Sequence, residues 1–182
     1  MDLKWYFIGL ALVPLFLGIL CIRPSDRFLS CLEKLPRHRA GGYLLFGAAA
    51  AWFIWNVAQL GKADEVGFLS KQNMLIVFTA IALLTPIYVP DFLAVRGLCI
   101  LYLLLANELL DLTWMEYSLA QRWFNGGIYI GIVFALVWGA APYLFRDFVQ
   151  WIGSKTTHRR FLGIGLVSYG MILVFSTFYA LS

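Results

Sequence analysis

The segment LCILYLLLANELLD, residues 98–111, decides the fold of this chain. Together with the residues before it, it forms an apolar run over 92–110, close to the roughly 20 residues that a helix needs to cross the hydrocarbon core of a bilayer. The run ends in the polar residues Asn107, Glu108 and Asp111. This segment therefore predicts a membrane span, and its polar end needs an explanation of its own.

The composition extends this interpretation to all 182 residues. Hydrophobic residues make up 62% of the chain and charged residues 13%, and the mean hydropathy is +0.79. Soluble domains are about half apolar and a quarter charged. The short intervals between apolar runs leave no room for a soluble domain, so residues 1–182 are expected to form a single integral membrane domain. The scattered basic residues argue against nucleic-acid binding.

Apolar runs of membrane-spanning length occur six times along the chain. We therefore predict an all-α, polytopic transmembrane helix bundle with six spans. Pro90 is expected to end the third span and Asp91 to cap the fourth, while Pro142 is expected to kink the fifth. The predicted spans cover residues 5–22, 42–60, 73–89, 92–110, 126–145 and 161–181.

The distribution of positive charge predicts an orientation for these spans. Ten of the 14 Lys and Arg residues lie in or beside the first, third and fifth loops. Because cytoplasmic loops carry an excess of Lys and Arg, the odd-numbered loops are expected inside the cell and both termini outside. The compact loops and the strong charge bias favour a bacterial cell inner membrane.

Two loops carry amphipathic patterns that predict short helices in the plane of the membrane interface. In the first cytoplasmic loop, Ser25 can cap such a helix, and its apolar face comprises Phe28, Leu32 and Leu35. In the fourth, outer loop the apolar face comprises Leu112, Met115, Leu119 and Trp123.

Small residues recur at every fourth position along the fifth predicted span. Close approach of helix backbones drives association in lipid, and small residues at this spacing allow it. The stripe is expected to pack inside the chain or, as the alternative, to dock a partner subunit. It consists of Gly127, Gly131, Ala135 and Gly139.

The polar end of the fourth span suggests a binding site. Asn107, Glu108 and Asp111 share one third of the helix surface at 100° per residue, and intramembrane ionisable residues are candidates for function. Other spans bring polar residues to the same depth, so we predict an outer vestibule that holds water, a cation or a small polar ligand. The alternative is that these side chains reach the interface or bond between helices. The proposed lining is Asn56, Asn107, Glu108, Asp111 and Tyr129.

Basic residues in the first and fifth predicted loops form a second candidate site, for anionic lipid head groups. The alternative is the ordinary positive charge of cytoplasmic loops. The residues concerned are Arg37, His38, Arg39, His158, Arg159 and Arg160. Both histidines are expected in loops, which does not suit haem ligation, and the three cysteines are too far apart for a CxxC pair. No catalytic residue, metal site or cofactor is predicted.

These patterns favour a non-catalytic accessory or scaffolding subunit of a larger membrane complex. Its expected partners are the lipid bilayer and either other membrane subunits or further copies of itself. A small channel or transporter that uses the outer vestibule is the first alternative. A lipid-active membrane enzyme is the second, so enzymatic activity stays an open question although the sequence favours its absence.

Overall fold

The computed structural model describes residues 3–23, 39–61, 70–114 and 118–179, with side chains from Phe7 onward. Over these ranges the chain is all-α and forms seven helices. They are α1 Leu3–Ile22, α2 Arg39–Gln59, α3 Lys71–Tyr88, α4 Leu93–Leu112, α5 Leu119–Ala140, α6 Pro142–Ser154 and α7 Thr156–Tyr179.

Five of the described helices, α2, α3, α4, α5 and α7, are long and apolar enough to cross a membrane. Large apolar side chains cover their outer surfaces; Phe161 is 78% exposed and Phe175 is 72% exposed. A helix that is apolar on all sides is typical of a membrane span. The predicted all-α class is therefore confirmed, and the five candidate spans are consistent with a multi-pass membrane protein. In α1 the described apolar stretch, Phe7–Ile22, is shorter, so the sixth span and the orientation stay predictions.

The last two long helices begin earlier than predicted. Helix α5 starts at Leu119 rather than residue 126, and α7 starts at Thr156 rather than residue 161. Hydropathy marks only the apolar part of a helix, whereas backbone hydrogen bonding continues into the polar residues before it. His158 consequently lies in the first turn of α7 and not in a loop, which corrects the prediction.

The helix that follows α5 was also missed. Pro142 does not kink the fifth span: α5 ends at Ala140, and Pro142 is the first residue of the separate helix α6. Proline suits the first helical position because the N–H it lacks has no partner there. Helix α6 buries Val149 and Ile152 and exposes Trp151.

Neither of the two predicted interfacial helices is confirmed. Leu112 is the last residue of α4, while Leu119 and Trp123 lie in the first turns of α5. Met115 and the first-loop segment 24–38 fall outside the described residues.

Contacts divide the chain into two compact units. The first comprises Met1–Glu33, Glu108–Val133 and Arg146–Ser182. In it α1 packs along α7 at two glycines: a Cβ on Gly18 would lie 2.8 Å from the Gly163 carbonyl oxygen, and the reverse distance is also 2.8 Å. Phe7 meets Phe124 edge-on, with ring centroids 5.6 Å apart.

The second unit comprises Lys34–Asn107 and Phe134–Phe145. Here α2 and α4 run in the same direction and approach closely near their first turns. A Cβ on Gly97 would lie 2.6 Å from the Phe46 backbone nitrogen, and one on Gly42 would lie 3.1 Å from the Ala94 nitrogen. Farther along α4, Cys99 is buried in a small apolar core.

A tight turn over residues 89–92 joins α3 to α4 within the second unit. Its last residue, Phe92, has a φ of 57°, a left-handed conformation that is unusual for a bulky side chain. The Phe92 carbonyl accepts hydrogen bonds from the Val95 and Arg96 backbone nitrogens, at 3.0 and 3.2 Å, and its ring packs against the core around Cys99. These contacts stabilise the strained turn. The first acceptor of α4 is thus Phe92, whereas Asp91 is exposed.

Candidate ligand groove

A cavity of about 580 Å³ lies among α2, α3 and α4 in the second unit. We call it the groove. This volume falls in the range of roughly 300–1,000 Å³ that is usual for small-molecule sites. Its lining is Phe53, Asn56, Val57, Leu60, Met74, Phe78, Ile100, Leu103, Leu104 and Asn107.

The lining follows helical periodicity. Helix α2 and the residue after it contribute positions 53, 56, 57 and 60, and α4 contributes positions 100, 103, 104 and 107. Both sets follow the spacing i, i+3, i+4 and i+7, which places side chains on one face of a helix. Helix α3 adds Met74 and Phe78, at i and i+4. Each helix therefore presents one continuous stripe to the groove.

Local features of the sequence fix these three stripes. Ser70 caps α3, since its side-chain oxygen accepts a hydrogen bond from the Asn73 nitrogen at 3.4 Å, and so Met74 and Phe78 fall in the first turns. The Phe53 and Phe78 rings meet edge-on, with centroids 5.0 Å apart and planes at 85°. This contact ties α2 to α3. The close approach at Gly97 ties α2 to α4 at their other ends.

Asn56 and Asn107 carry the only polar side chains of the groove lining. Asn56 is half-buried and Asn107 is exposed. Neither carboxamide forms a hydrogen bond with any residue in the described part of the chain. Each carboxamide offers two N–H donors and one carbonyl acceptor, and leaving such groups unpaired in an apolar environment is costly. The groove can therefore hold a ligand that supplies hydrogen-bonding atoms at this end.

The structure brings together two of the five residues predicted for the outer vestibule. Asn56 and Asn107 line the groove, whereas Glu108, Asp111 and Tyr129 are exposed residues of the first unit and are not part of the lining. The groove is consequently uncharged, while the predicted vestibule was acidic.

The apolar walls are the part of the groove that sequence reasoning missed. Phe53, Met74 and Phe78 carry no distinguishing signal in the sequence, because apolar residues are expected throughout a membrane span. Two patterns in the sequence could have indicated the groove. On α4, Asn107 follows apolar residues at i−3, i−4 and i−7, and on α2, Asn56 follows Phe53 by about one turn. The sequence does not give the rotation of each helix about its axis, so only the structure shows that these stripes face one another.

The first position of the small-residue stripe on α5 contacts α7 in the first unit. A Cβ on Gly127 would collide with the Tyr169 hydroxyl. That hydroxyl donates a hydrogen bond to the Trp123 carbonyl oxygen over 2.8 Å. Because Gly127 has no side chain, Tyr169 has the space to bridge α5 and α7.

The later positions of the stripe contact α4 in the second unit. Ala135 is buried with Val95 and Cys99, and a Cβ on Gly139 would lie 3.6 Å from the Cys99 Cβ. Gly131 is half-buried. At three of its four positions, then, the stripe is occupied by contacts inside this chain.

The candidate lipid head-group residues are described only in part. Arg37 and His38 lie outside the described residues, and Arg39 is the exposed first residue of α2 in the second unit. The other three lie at the start of α7 in the first unit, where Arg160 is exposed.

His158 is held against the end of α6. Its ring stacks on Trp151, with centroids 4.3 Å apart and planes at 10°. Its Nδ1 lies 3.1 Å from the Trp151 carbonyl oxygen and 3.4 Å from the Ser154 hydroxyl. Beside it, the Arg159 Nη2 donates to the Thr156 hydroxyl at 3.4 Å, and the Arg159 Nε is buried without a partner among the described residues.

Neither a candidate metal site nor a similar protein suggests a function for the described residues. Within the described ranges, no group of three or more His, Cys, Asp or Glu side chains could hold a metal ion. Cys21 and Cys99 are free thiols. A comparison of the chain with protein-family models, with curated proteins and with solved structures finds no match.

Proposed function

We propose that this protein is a non-catalytic accessory or scaffolding subunit of a larger complex in the cell inner membrane. The observation that carries the proposal is the packing of α3. This helix is apolar enough to span the membrane, yet none of its residues is buried.

A candidate span that fully buries none of its residues in its own chain depends in part on its surroundings for a fixed position. Helix association in lipid comes from side-chain packing and hydrogen bonds between helices. The outer surface of α3 carries large apolar side chains, among them Leu83, 68% exposed, and Ile87, 72% exposed. A span of a partner subunit that packed on this surface would provide the contacts that α3 lacks. The stripe on α5 is a weaker candidate, because contacts inside the chain occupy it.

The test is site-specific photo-crosslinking in native membranes. A photoreactive amino acid at Leu83 is expected to form a discrete protein adduct in stoichiometric amounts. The control carries the same amino acid at Phe16, an exposed residue of α1, and is expected to react with lipid only. Adducts with lipid alone from both positions, or the same protein adduct from both, would contradict a partner surface on α3.

The groove favours a second candidate function, a small channel or transporter. Asn56 and Asn107 provide hydrogen-bonding groups on two different helices around one cavity. Flux of uncharged polar solutes into proteoliposomes tests this candidate. Transport that is unchanged when both residues are replaced by leucine would count against it.

A further inference from the structure

We propose that the groove binds an uncharged amphiphile, a molecule with a hydrocarbon chain that bears a carbonyl or hydroxyl group. This inference does not depend on the role of the protein as an accessory subunit, because the groove and the outer surface of α3 are different faces of that helix.

The walls of the groove select the hydrocarbon part of the ligand. Eight of its ten lining residues are apolar, and they come from all three helices. Met74 adds a flexible, polarisable side chain, which adapts to apolar ligands of irregular shape. The surrounding helices are long and apolar enough to span a membrane, and in that setting a molecule dissolved in the bilayer can reach the groove without crossing water.

The two carboxamides select the polar part of the ligand. The Asn56 and Asn107 side chains have no hydrogen-bonding partner among the described residues, and each can both donate and accept. A carbonyl group would accept from their N–H groups, and a hydroxyl group could also donate to their carbonyl oxygens. Both interactions satisfy groups that would otherwise be unpaired at the edge of an apolar cavity.

The absence of charge in the lining argues for an uncharged ligand. None of the ten lining residues is ionisable, so a carboxylate, phosphate or ammonium group inside the groove would have no counter-ion there. Moving an unpaired charge into an apolar environment is far more costly than moving a hydroxyl or carbonyl group. Fatty-acid anions are therefore expected to bind worse than alcohols or ketones of the same length.

The groove is too small to enclose a helix from a partner, which could place only side chains in it. A helix about 11 Å across that rises 1.5 Å per residue occupies roughly 140 Å³ per residue. The 580 Å³ of the groove would hold only about four residues of such a helix. A single hydrocarbon chain is much thinner and fits a cavity of this volume.

The test uses three diazirine photoprobes with hydrocarbon chains of equal length, which end in a hydroxyl, a methyl ketone or a carboxylate. The full-length protein in nanodiscs is irradiated with each probe, and labelled peptides are identified by mass spectrometry. We expect the alcohol, the ketone or both to label groove residues, and the carboxylate to label them about tenfold less. Labelling by the alcohol alone would indicate a hydroxyl ligand, and labelling by the ketone alone a carbonyl ligand.

Two kinds of variant test the assignment to the groove. Replacing both Asn56 and Asn107 with leucine is expected to weaken binding of the preferred probe about tenfold. Met74→Trp is expected to fill the cavity and abolish saturable labelling independently of the asparagines. Its matched control is Leu83→Trp, because Leu83 lies on the same helix, is 68% exposed and is not part of the lining.

The outcomes separate this inference from the proposed partner surface. Equal labelling by all three probes, stronger labelling by the carboxylate, or equal effects of Met74→Trp and Leu83→Trp would overturn the groove assignment. Failure to detect a protein crosslink from Leu83 on α3 would contradict the partner surface but would not affect the groove assignment.

Discussion

Substituting Gly97 with alanine is the most direct test of the packing between α2 and α4. The added Cβ would lie 2.6 Å from the Phe46 nitrogen, 2.8 Å from the Leu45 carbonyl carbon and 2.9 Å from the Phe46 Cα. Uncharged atoms pack at about 3.5–4.0 Å. All three neighbours are backbone atoms, so no side chain can rotate away and the helices must separate by about 1 Å.

Such overpacking typically costs about 1–3 kcal/mol. The gain in helix propensity from Gly to Ala, about 1 kcal/mol in soluble helices, offsets part of that cost. We therefore expect Gly97→Ala to lower the free energy of unfolding by up to about 2 kcal/mol, and to unfold about 1–3 kcal/mol more easily than a variant that gains the same propensity without the clash. The matched control is Gly47→Ala on α2, where a Cβ would meet nothing within 4 Å. That variant is expected to be neutral or slightly stabilising.

Reversible unfolding in bicelles, or thermal unfolding in a mild detergent, measures the difference between the two variants. The expected result is a lower midpoint for Gly97→Ala and an unchanged or higher midpoint for Gly47→Ala. If the two variants unfold together, the close approach of α2 and α4 at Gly97 is wrong. The groove between these helices would then lose its structural basis.

Three further predictions concern the first unit and the orientation. Gly163→Ala places a Cβ 2.8 Å from a backbone oxygen of α1. After the gain in helix propensity it should lower the free energy of unfolding by up to about 2 kcal/mol. Gly165→Ala, whose Cβ would meet nothing within 4 Å, should not, and equal unfolding midpoints would contradict this. Tyr169→Phe removes the hydrogen bond to α5 and should cost about 0.5–1.5 kcal/mol, so an unchanged midpoint would show that the bond contributes nothing. Cysteines that replace Arg37 and Arg159 should both react with impermeant thiol reagents only from the cytoplasmic side, and labelling from opposite sides would refute the predicted orientation.

The helical membrane class could be predicted from the sequence because it depends on composition and run length alone. The starts of α5 and α7 could not, since the polar residues that precede their apolar parts are helical only through backbone hydrogen bonds that hydropathy does not register. Pro142 illustrates the same limit. A proline in an apolar run is compatible with a kink or with the first position of a new helix, and packing decides between them.

The candidate site was predictable only in part for a similar reason. Asn56 and Asn107 were recognisable as polar residues inside apolar runs. Their association with Phe53 and Phe78, and the exclusion of Glu108 from the lining, depend on how the helices rotate about their axes. The four-residue spacing of small residues also failed to identify the closest contacts between helix backbones. The stripe on α5 was expected to pack, but the backbone-to-backbone contacts lie at Gly18, Gly42, Gly97 and Gly163.

The short turn before α4 has a consequence for how the protein is made. Residues 89–92 can extend over at most about 14 Å, so we expect α3 and α4 to leave the translocation machinery as a pair and to enter lipid as a helical hairpin. Helix α3, none of whose residues is fully buried, would then enter the bilayer together with α4, which buries six of its residues. Lengthening this turn would uncouple their insertion, and α3 would be the span whose retention in the membrane suffers.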